Sequence, residues 1–499
     1  MSLNLVRDAW IPVLLSDGTR RTIAPWQMAD TEILALDWPR MDFNIACLEM
    51  LIGLVFLVDP PEDVDEWQAR RAPDAERLRH RLASFEGAFD LLGDGPRFLQ
   101  DLEALQGEAV APDMLFIDSA GEATAKNNAD LMTWRGRYPR LTPPLAAMAL
   151  YTFQAFAPSG GAGNRTSMRG GGPQVTLVDP GGGLWALIWA NVPCAQPAPS
   201  PDVLPWMQPT VVSTSEAKVW SQDRHPAEAF FGMPRRLRLV EDAGLIVGVV
   251  QRPHGNNYAG WRHPLSPYYR MKVGSELLPR HPPAGQFGYR HWLGVVAAST
   301  DQEESGLRQR AGTVKDWHSR RPPGQSAQVI VAGWSMSNMK PLDFSYSMAP
   351  LLQLSAAAED RLPGLVLAAD QFALALRQAL RPVLSEGEAR EAVREEFFTR
   401  TQAAFEQQVF QLQAEADLAD VAGQWRDMLR RTALDLFDAQ ALPGLADRAL
   451  EDQGDIIRER QILLANFSGR GKYGKAAYAE LDLVPPSTPK SDKEEAALS

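Results

Sequence analysis

Residues 157–173, APSGGAGNRTSMRGGGP, hold the residue types in this chain that come nearest to a recognisable chemistry. Gly160, Gly161, Gly163, Gly170, Gly171 and Gly172 surround Arg165 and Arg169, with no acid among them. Glycines let a backbone approach a ligand closely, and successive N–H groups can form an anion nest, so the segment suits phosphate. A flexible surface loop has the same composition. The lack of acids and an apolar stretch at 145–156 that can anchor the segment favour the phosphate reading. Residues 260–274, GWRHPLSPYYRMKVG, interleave Arg262, His263, Arg270 and Lys272 with Tyr268 and Tyr269. Nucleic-acid surfaces mix cations and aromatics in this way, and so does a strand with an aromatic core face. Residues 333–344, GWSMSNMKPLDF, follow a short apolar strand and read equally as a turn leading onward. GRGKYG at 469–474 fits GxGxxG formally but follows a helix, so the dinucleotide reading fails its context. It reads as a helix stop whose Arg470, Lys472 and Lys475 can reach phosphate.

Enzyme motifs are missing: no Walker loop, no HExxH, no GxSxG and no cysteine pair at zinc spacing. The seven histidines are scattered without metal-ligand spacing. The expectation is a protein without catalytic residues, bound metal or cofactor. Its 499 residues, 45% hydrophobic and 22% charged, exclude wholesale disorder and allow several domains. Residues 45–58, the longest apolar run, contain Glu49 and fall short of a membrane span. The first residues lack a secretory layout, and Cys47 and Cys194 alone make no disulfide framework, so a cytoplasmic protein is expected.

A net charge of −12 argues against a free-standing nucleic-acid binder, but the charge is segregated. Residues 126–178 carry six Lys/Arg (Lys126, Arg135, Arg137, Arg140, Arg165, Arg169) against Asp130, and residues 218–291 carry eleven against five acids. A solvated basic face accounts for this, and so does a local phosphate-binding surface on an acidic body.

The elements that must position these loops are mixed in the first two-thirds. Asp17-Gly18 marks a hairpin between runs at 5–15 and 20–23. Helical spacing occurs at 43–58 and 74–92, and short strands are expected at 185–192, 236–240, 245–250 and 329–331. Beyond about Ser355 four helical stripes follow: Leu365 to Leu380, Val393 to Leu412, Leu418 to Leu436, and Leu450, Ile457, Leu464, Phe467. The expected fold is α+β: a mixed domain with long loops over 1–354, a C-terminal four-helix bundle over 355–484, and a disordered tail at 485–499.

NLVRDAWIPV at 4–13, PRMDFNIACLEML at 39–51, PRFLQD at 96–101 and NNADLM at 127–132 precede the Gly/Arg segment. AFFGMPRRLRLVED at 229–242, HPLSPYYRMK at 263–272 and AGWSMSNMKPLDF at 332–344 follow it. In that order, with a terminal helix bundle, they resemble the large subunit of the type I-E Cascade complex, the CRISPR RNA-guided surveillance complex of bacteria. The resemblance covers nearly the whole chain. It implies a non-catalytic subunit that recognises the protospacer-adjacent motif (PAM) of duplex DNA from the minor groove and starts strand separation. It also implies that the subunit meets guide CRISPR RNA and the other Cascade subunits, and recruits the effector helicase–nuclease. By the resemblance, the PAM glycine loop is Gly160, Gly161, Ala162 and Gly163. The lysine finger is Lys272, or Arg270 after a one-residue shift. The wedge is Asn338 and Met339, and Asn127 and Asn128 belong to the loop at the guide RNA. Some members of that family hold a cysteine-bound zinc, which Cys47 and Cys194 alone cannot supply. A minor-groove reader uses backbone, small side chains and a cation, in keeping with these residue types. Two other classes stay open: a purely architectural subunit, and an enzyme using the Gly/Arg loop as a phosphate cradle.

Overall fold

The longest apolar run of the sequence builds the central helix of the first unit. This helix, α1 (Met41–Val58), buries all of its residues except Met41 and Asn44. It equals a membrane span in length and mean hydropathy (2.0), four residues longer than the run marked in the sequence, yet 89% of it lies inside the protein. The structure is a computed structural model and describes residues 2–121, 124, 126–128, 134–161, 163–214, 217–299, 306–351 and 353–486. It separates into two units, one of residues 1–287 with 307–351, the other of 288–306 with 352–499.

In the first unit, β1 (Ile11–Leu15) pairs antiparallel with β2 (Arg20–Ile23) through the Asp17-Gly18 turn and with β3 (Ile33–Leu36) on its other edge. Gly18 supplies the positive φ of +83° that this turn needs. Helix Pro143–Phe156 packs against α1 and ends at the Gly/Arg segment. Next come β4 (Val175–Asp179), β5 (Val219–Trp220), β6 (Arg236–Asp242), β7 (Leu245–Arg252) and β8 (Tyr258–Ala259). Then follow β9 (Tyr268–Tyr269), β10 (Leu278–Pro279), β11 (Arg308–Gln309), β12 (Ala327–Ser337) and β13 (Lys340–Leu351). Strand β6 pairs with β7, β5 runs parallel to β8, β9 lies between β10 and β11, and β12 lies between β13 and β4.

One expected strand is a helix. Residues 184–190, LWALIWA, form helix Leu184–Ala190 after three glycines, Gly181 to Gly183, all at positive φ. A seven-residue apolar run fits either period, and tertiary contacts decided it. Asn191 closes the helix by exchanging bonds with Val178 N (2.8 Å) and Val178 O (2.7 Å), while Trp67 and Trp189 stack at 6.2 Å.

The second unit contains, among the described residues, five long helices: Ala356–Ala379, Glu388–Gln413, Leu418–Ala441, Leu450–Asn466 and Gly471–Leu481. Two start where hydroxyl or carboxylate caps stand, Ser355 on Ala358 N and Asp417 on Ala419 N and Asp420 N. The first three stripes read from the sequence face the core, with Trp425 Nε1 donating to Leu365 O at 2.9 Å. The fourth stripe holds at Phe467, which is buried and stacks on Phe372 at 4.2 Å, but is off by one position before it. Leu450 and Ile457 are 84% and 52% exposed, and Ile456 and Leu463 are buried instead. The four-helix count also falls short, because the glycine stop is a corner into a fifth helix. A Cβ on Gly474 would lie 2.3 Å from Asn466 O, and one on Gly364 would lie 2.1 Å from Glu480 O. Those close approaches seat the last helix against its neighbours. Tyr289, from the mid-chain excursion, stacks on Phe405 at 4.3 Å and bonds Thr401 Oγ1 at 2.9 Å, which explains why 288–306 departs from the expected boundary. Of the tail at 485–499, all but residues 485 and 486 lies outside the described residues.

Candidate nucleic-acid interface

The glycine loop is folded against its own helix. Asn164 N donates to Gly161 O (2.8 Å), Ser167 N to Ala157 O (3.0 Å) and Gly172 N to Phe156 O (2.9 Å). Beneath it, Arg235 donates to Pro158 O and lies over the Phe153 ring at 5.1 Å. Burial lowers the Arg235 guanidinium to about 10. A Cβ on Gly160 would stand 2.7 Å from Arg235 Nη1, and one on Gly163 would stand 2.5 Å from His254 Cε1. Gly161 is the free position: its φ is +66°, and a Cβ there meets nothing within 4 Å. Ala162 lies outside the described residues.

The two arginines of the segment have different fates. Arg165 stays at the loop surface, with Nε and Nη2 donating to Ser213 Oγ (2.9 Å) and Ser213 O (2.7 Å). Arg169, expected at phosphate, is only 3% exposed and donates to Glu49 Oε1 (2.7 Å) and Ser266 Oγ (3.0 Å). It is an internal ion-pair partner, and the phosphate assignment for Arg169 is withdrawn: a buried carboxylate in α1 requires a buried cation. His263 Nε2 lies 3.3 Å from the same Glu49 oxygen. Burial pushes against the Glu49 carboxylate, but Arg169 and His263 hold it below its ordinary range. Burial, reinforced by Arg169, brings His263 down to about 4, so its ring is neutral at pH 7. Arg137 is likewise paired with Asp118, at 2.9 Å.

His263 opens the run to the second loop. Its backbone N–H donates to the Tyr268 hydroxyl at 2.7 Å, and Tyr268 is 6% exposed, so one of the two tyrosines does serve the core. The β9–β10 hairpin pairs Tyr269 with Leu278 and projects residues 270–277. Lys272 is exposed near its tip, between Met271 and Val273 (77% and 69% exposed), and its carbonyl accepts from Ser275 Oγ at 2.7 Å. Arg270 sits lower, its N–H donating to Leu307 O at 2.8 Å.

Asn338 and Met339 form the two-residue turn joining β12 to β13, where Ser337 faces Lys340. Their φ angles, +48° and +63°, are the positive pair of a type I′ turn. The ribbon lies on the glycine segment. A Cβ on Gly172 would fall 2.5 Å from Trp334 O, and one on Gly171 would fall 3.2 and 3.3 Å from the sulfurs of Met336 and Met339. Three loops distant in sequence therefore converge in the first unit.

A cavity of about 510 Å³ opens between the glycine loop and the base of the β9–β10 hairpin, with Arg165, Thr166, Asn257, Tyr258, Tyr269 and His281 on its walls. Behind Tyr258 stands Glu228, 2% exposed, which accepts from the tyrosine hydroxyl at 2.9 Å. Burial raises the Glu228 carboxyl to about 7 against an ordinary 4.5. The native state then holds the proton that the unfolded chain releases, so wild-type stability falls as pH rises through that interval. Glu228→Gln removes this loss. The stability of the variant relative to wild type is expected to climb by about 3 kcal/mol between pH 4.5 and 7.5. Denaturant titrations at several pH values read this directly, and a flat difference would show the carboxylate to be well solvated.

Other expected site residues belong to other elements. Asn127 and Asn128 are exposed on the long first loop, and Asn128 Oδ1 accepts from Arg135 at 3.0 Å. Arg470 and Lys472 are exposed at the start of the last helix of the second unit. Among the described residues no group of three His, Cys, Asp or Glu side chains is placed to hold a metal ion. Sequence reasoning missed Glu49, His263, Arg235 and His254 as supports of the loops. A lone carboxylate inside an 18-residue apolar helix was the available signal for Glu49.

The fold and its converging loops define a non-repetitive α+β protein with a helical C-terminal unit and an elaborated set of loops in its first unit. The chain belongs to the family of CRISPR-associated protein Cse1, whose pattern it matches over residues 4–436. Among solved structures it is similar to CasA of Thermus thermophilus, with 18% identity, a TM-score of 0.71, and 93% of this chain and 100% of that chain covered. It is also similar to Cse1 from Acidimicrobium ferrooxidans, at 20% identity, a TM-score of 0.66, and 97% and 99% coverage. A chain of a CRISPR RNA-guided surveillance complex matches with 16% identity, a TM-score of 0.71, and 93% and 99% coverage. Among curated proteins none matches.

Proposed function

We propose that this chain is the large, non-catalytic subunit of a type I-E CRISPR RNA-guided surveillance complex, working in the cytoplasm beside the guide RNA and the other Cascade subunits. In that complex it reads the PAM of duplex DNA through the minor groove, begins strand separation next to it and helps recruit the effector helicase–nuclease. The observation that carries the reading is the convergence of the glycine loop, the Lys272 hairpin and the Asn338–Met339 turn in a member of the Cse1 family. Each offers what a groove reader needs: bare backbone at Gly161, an exposed ammonium at Lys272, and a tight tip beside them. Arg137, Arg169 and Arg235 are spent on internal partners, and the weak electrostatics that result suit a protein that must sample many sites and leave them. Asn127 and Asn128 are assigned to the guide RNA, and Arg165, Arg470 and Lys472 to phosphate.

An ammonium in the minor groove meets purine N3 and pyrimidine O2, so it adds affinity with partial base preference. In the reconstituted complex, Lys272→Ala is expected to weaken the preferred motif by about 1–3 kcal/mol and to flatten the ranking across a motif library. Arg270→Ala, at phosphate, lowers all sequences alike and reduces the salt slope. Reversal of the two patterns makes Arg270 the finger. No change with either supports a purely architectural subunit, a reading that the exposed Leu450 and Ile457 of the second unit would also suit.

A further inference from the structure

We propose that the 510 Å³ cavity between the glycine loop and the β9–β10 hairpin receives a single nucleotide of a DNA strand, turned out of the duplex beside the motif. The inference rests on the reading of the three loops as the duplex-facing site, and it adds a binding pocket to that site.

Size is the first ground. The volume lies within the range of pockets that enclose small organic ligands, and it suits a base with its sugar. Chemistry is the second. Tyr269, Tyr258 and His281 give the walls aromatic surface, against which an unstacked base keeps the contact it loses in the helix. Thr166 and Asn257 bring hydroxyl and amide groups to the same walls, and an amide offers both donors and an acceptor to a base edge. Arg165 spends Nε and Nη2 on Ser213, which leaves Nη1 for a phosphate oxygen.

Charge is the third ground. Among the described residues no Asp or Glu lines the cavity, although the chain holds 62 of them and carries a net charge of −12. A pocket for a cation or a basic peptide would need carboxylates. A pocket without them, holding one guanidinium, tolerates a phosphodiester. Position is the fourth. Ser159 and Asn164 of the glycine loop stand on one side, and Tyr269 and Leu278, the paired base of the Lys272 hairpin, stand on the other. A strand held between those loops passes the opening, and the Asn338–Met339 turn that packs on Gly171 provides a means of unpairing it. Turning a base out of the stack is the established way to expose its edge and faces to protein groups.

The test is photo-cross-linking in the assembled complex. 5-Iododeoxyuridine is placed singly at each position around the motif in the target strand and in the displaced strand, and 5-iodouridine near the 5′ end of the guide RNA. Cross-linked peptides are identified by mass spectrometry. The expected result is one position of one DNA strand cross-linking to Tyr269, Tyr258 or His281. The yield per bound target should fall at least tenfold in Asn257→Trp and in Thr166→Tyr, each of which puts a bulky side chain at a lining position of the cavity. No DNA cross-link to these residues in the wild-type complex, or cross-links from the guide alone, overturns the inference. So does an undiminished yield in both filled variants. The wild-type arm depends on no variant folding correctly. If Lys272→Ala flattens the motif ranking while no lining residue cross-links, only the pocket fails. If Lys272→Ala and Arg270→Ala both have no effect as well, the reading of the whole loop face fails with it.

Discussion

Glu49→Ala is expected to destabilise the first unit by about 3–5 kcal/mol, the range for removing one partner of a buried ion pair. That is about a fifth or more of the stability of an ordinary domain. Arg169 would be left with its guanidinium inside the protein, Nη1 still on Ser266 Oγ but Nη2 without its carboxylate. The geometry leaves little room for rescue by bulk solvent, because Arg169 and His263 are 3% and 2% exposed. Glu49→Leu combined with Arg169→Met should recover much of the loss, since two apolar groups of similar size need no desolvation of charge. Denaturant unfolding of the two single variants and the double variant measures the coupling. A cost below about 1 kcal/mol for Glu49→Ala would mean that the cluster is hydrated. Acid acts on the same cluster through His263. Its folded value of about 4 lies below the ordinary 6.5, so the unfolded chain takes up the proton first. The stability from this group is present above pH 6.5 and is lost as pH falls toward 4. The cluster matters beyond stability because it joins three places. Glu49 belongs to α1, Arg169 ends the glycine loop, and His263 begins the run to the Lys272 hairpin.

That junction also shows what a sequence displays and what it conceals. The β1–β2 hairpin was visible because Asp17-Gly18 states its turn chemistry locally. The first three helical stripes were visible because a period of 3.6 is a local property. The fourth was right at Phe467 and misplaced at Leu450 and Ile457, which are as apolar as Ile456 and Leu463, and only packing chooses between faces about 100° apart. Arg169 was misassigned because cation density in sequence does not reveal which cations are already paired: Glu49 lies 120 residues away. Gly160, Gly163, Gly171 and Gly172 stood out as glycines, but most of the reasons are long-range: the side chains of Arg235, His254 and Met336 and the backbone carbonyl of Trp334, with the Pro158 backbone also close to Gly171. Family resemblance supplied the grouping of the three loops. Their contacts with one another came only from the structure.

Met339→Gly is expected to raise the stability of the protein while impairing the opening of DNA, two effects that an ordinary structural residue would not separate. Met339 holds a φ of +63°, a left-handed conformation that costs a residue with a side chain about 1–2 kcal/mol. Glycine after asparagine is the preferred pair for this type of turn, so the β12–β13 register should be kept or strengthened. Some of the gain is offset by the lost contact of the methionine sulfur with Gly171, which leaves a net increase of about 1 kcal/mol. The side chain itself is 48% exposed at the tip, where it can wedge between base pairs. A step of duplex stacking is worth about 1.4 kcal/mol. Loss of a wedge that compensates for one such step slows opening about tenfold on linear DNA. Negative supercoiling supplies part of the same energy, so the defect should shrink on supercoiled templates. Asn338→Gly with Met339→Gly should enlarge the defect on linear DNA and keep that template dependence. Met339→Asn, which also adopts positive φ readily, should keep the turn and recover part of the rate by restoring a side chain at the tip. R-loop formation rates on both templates, with thermal unfolding of the same variants, give the comparison. If opening rates simply follow stability, or stay at the wild-type value on both templates, the tip is a strand connection and the duplex is separated elsewhere.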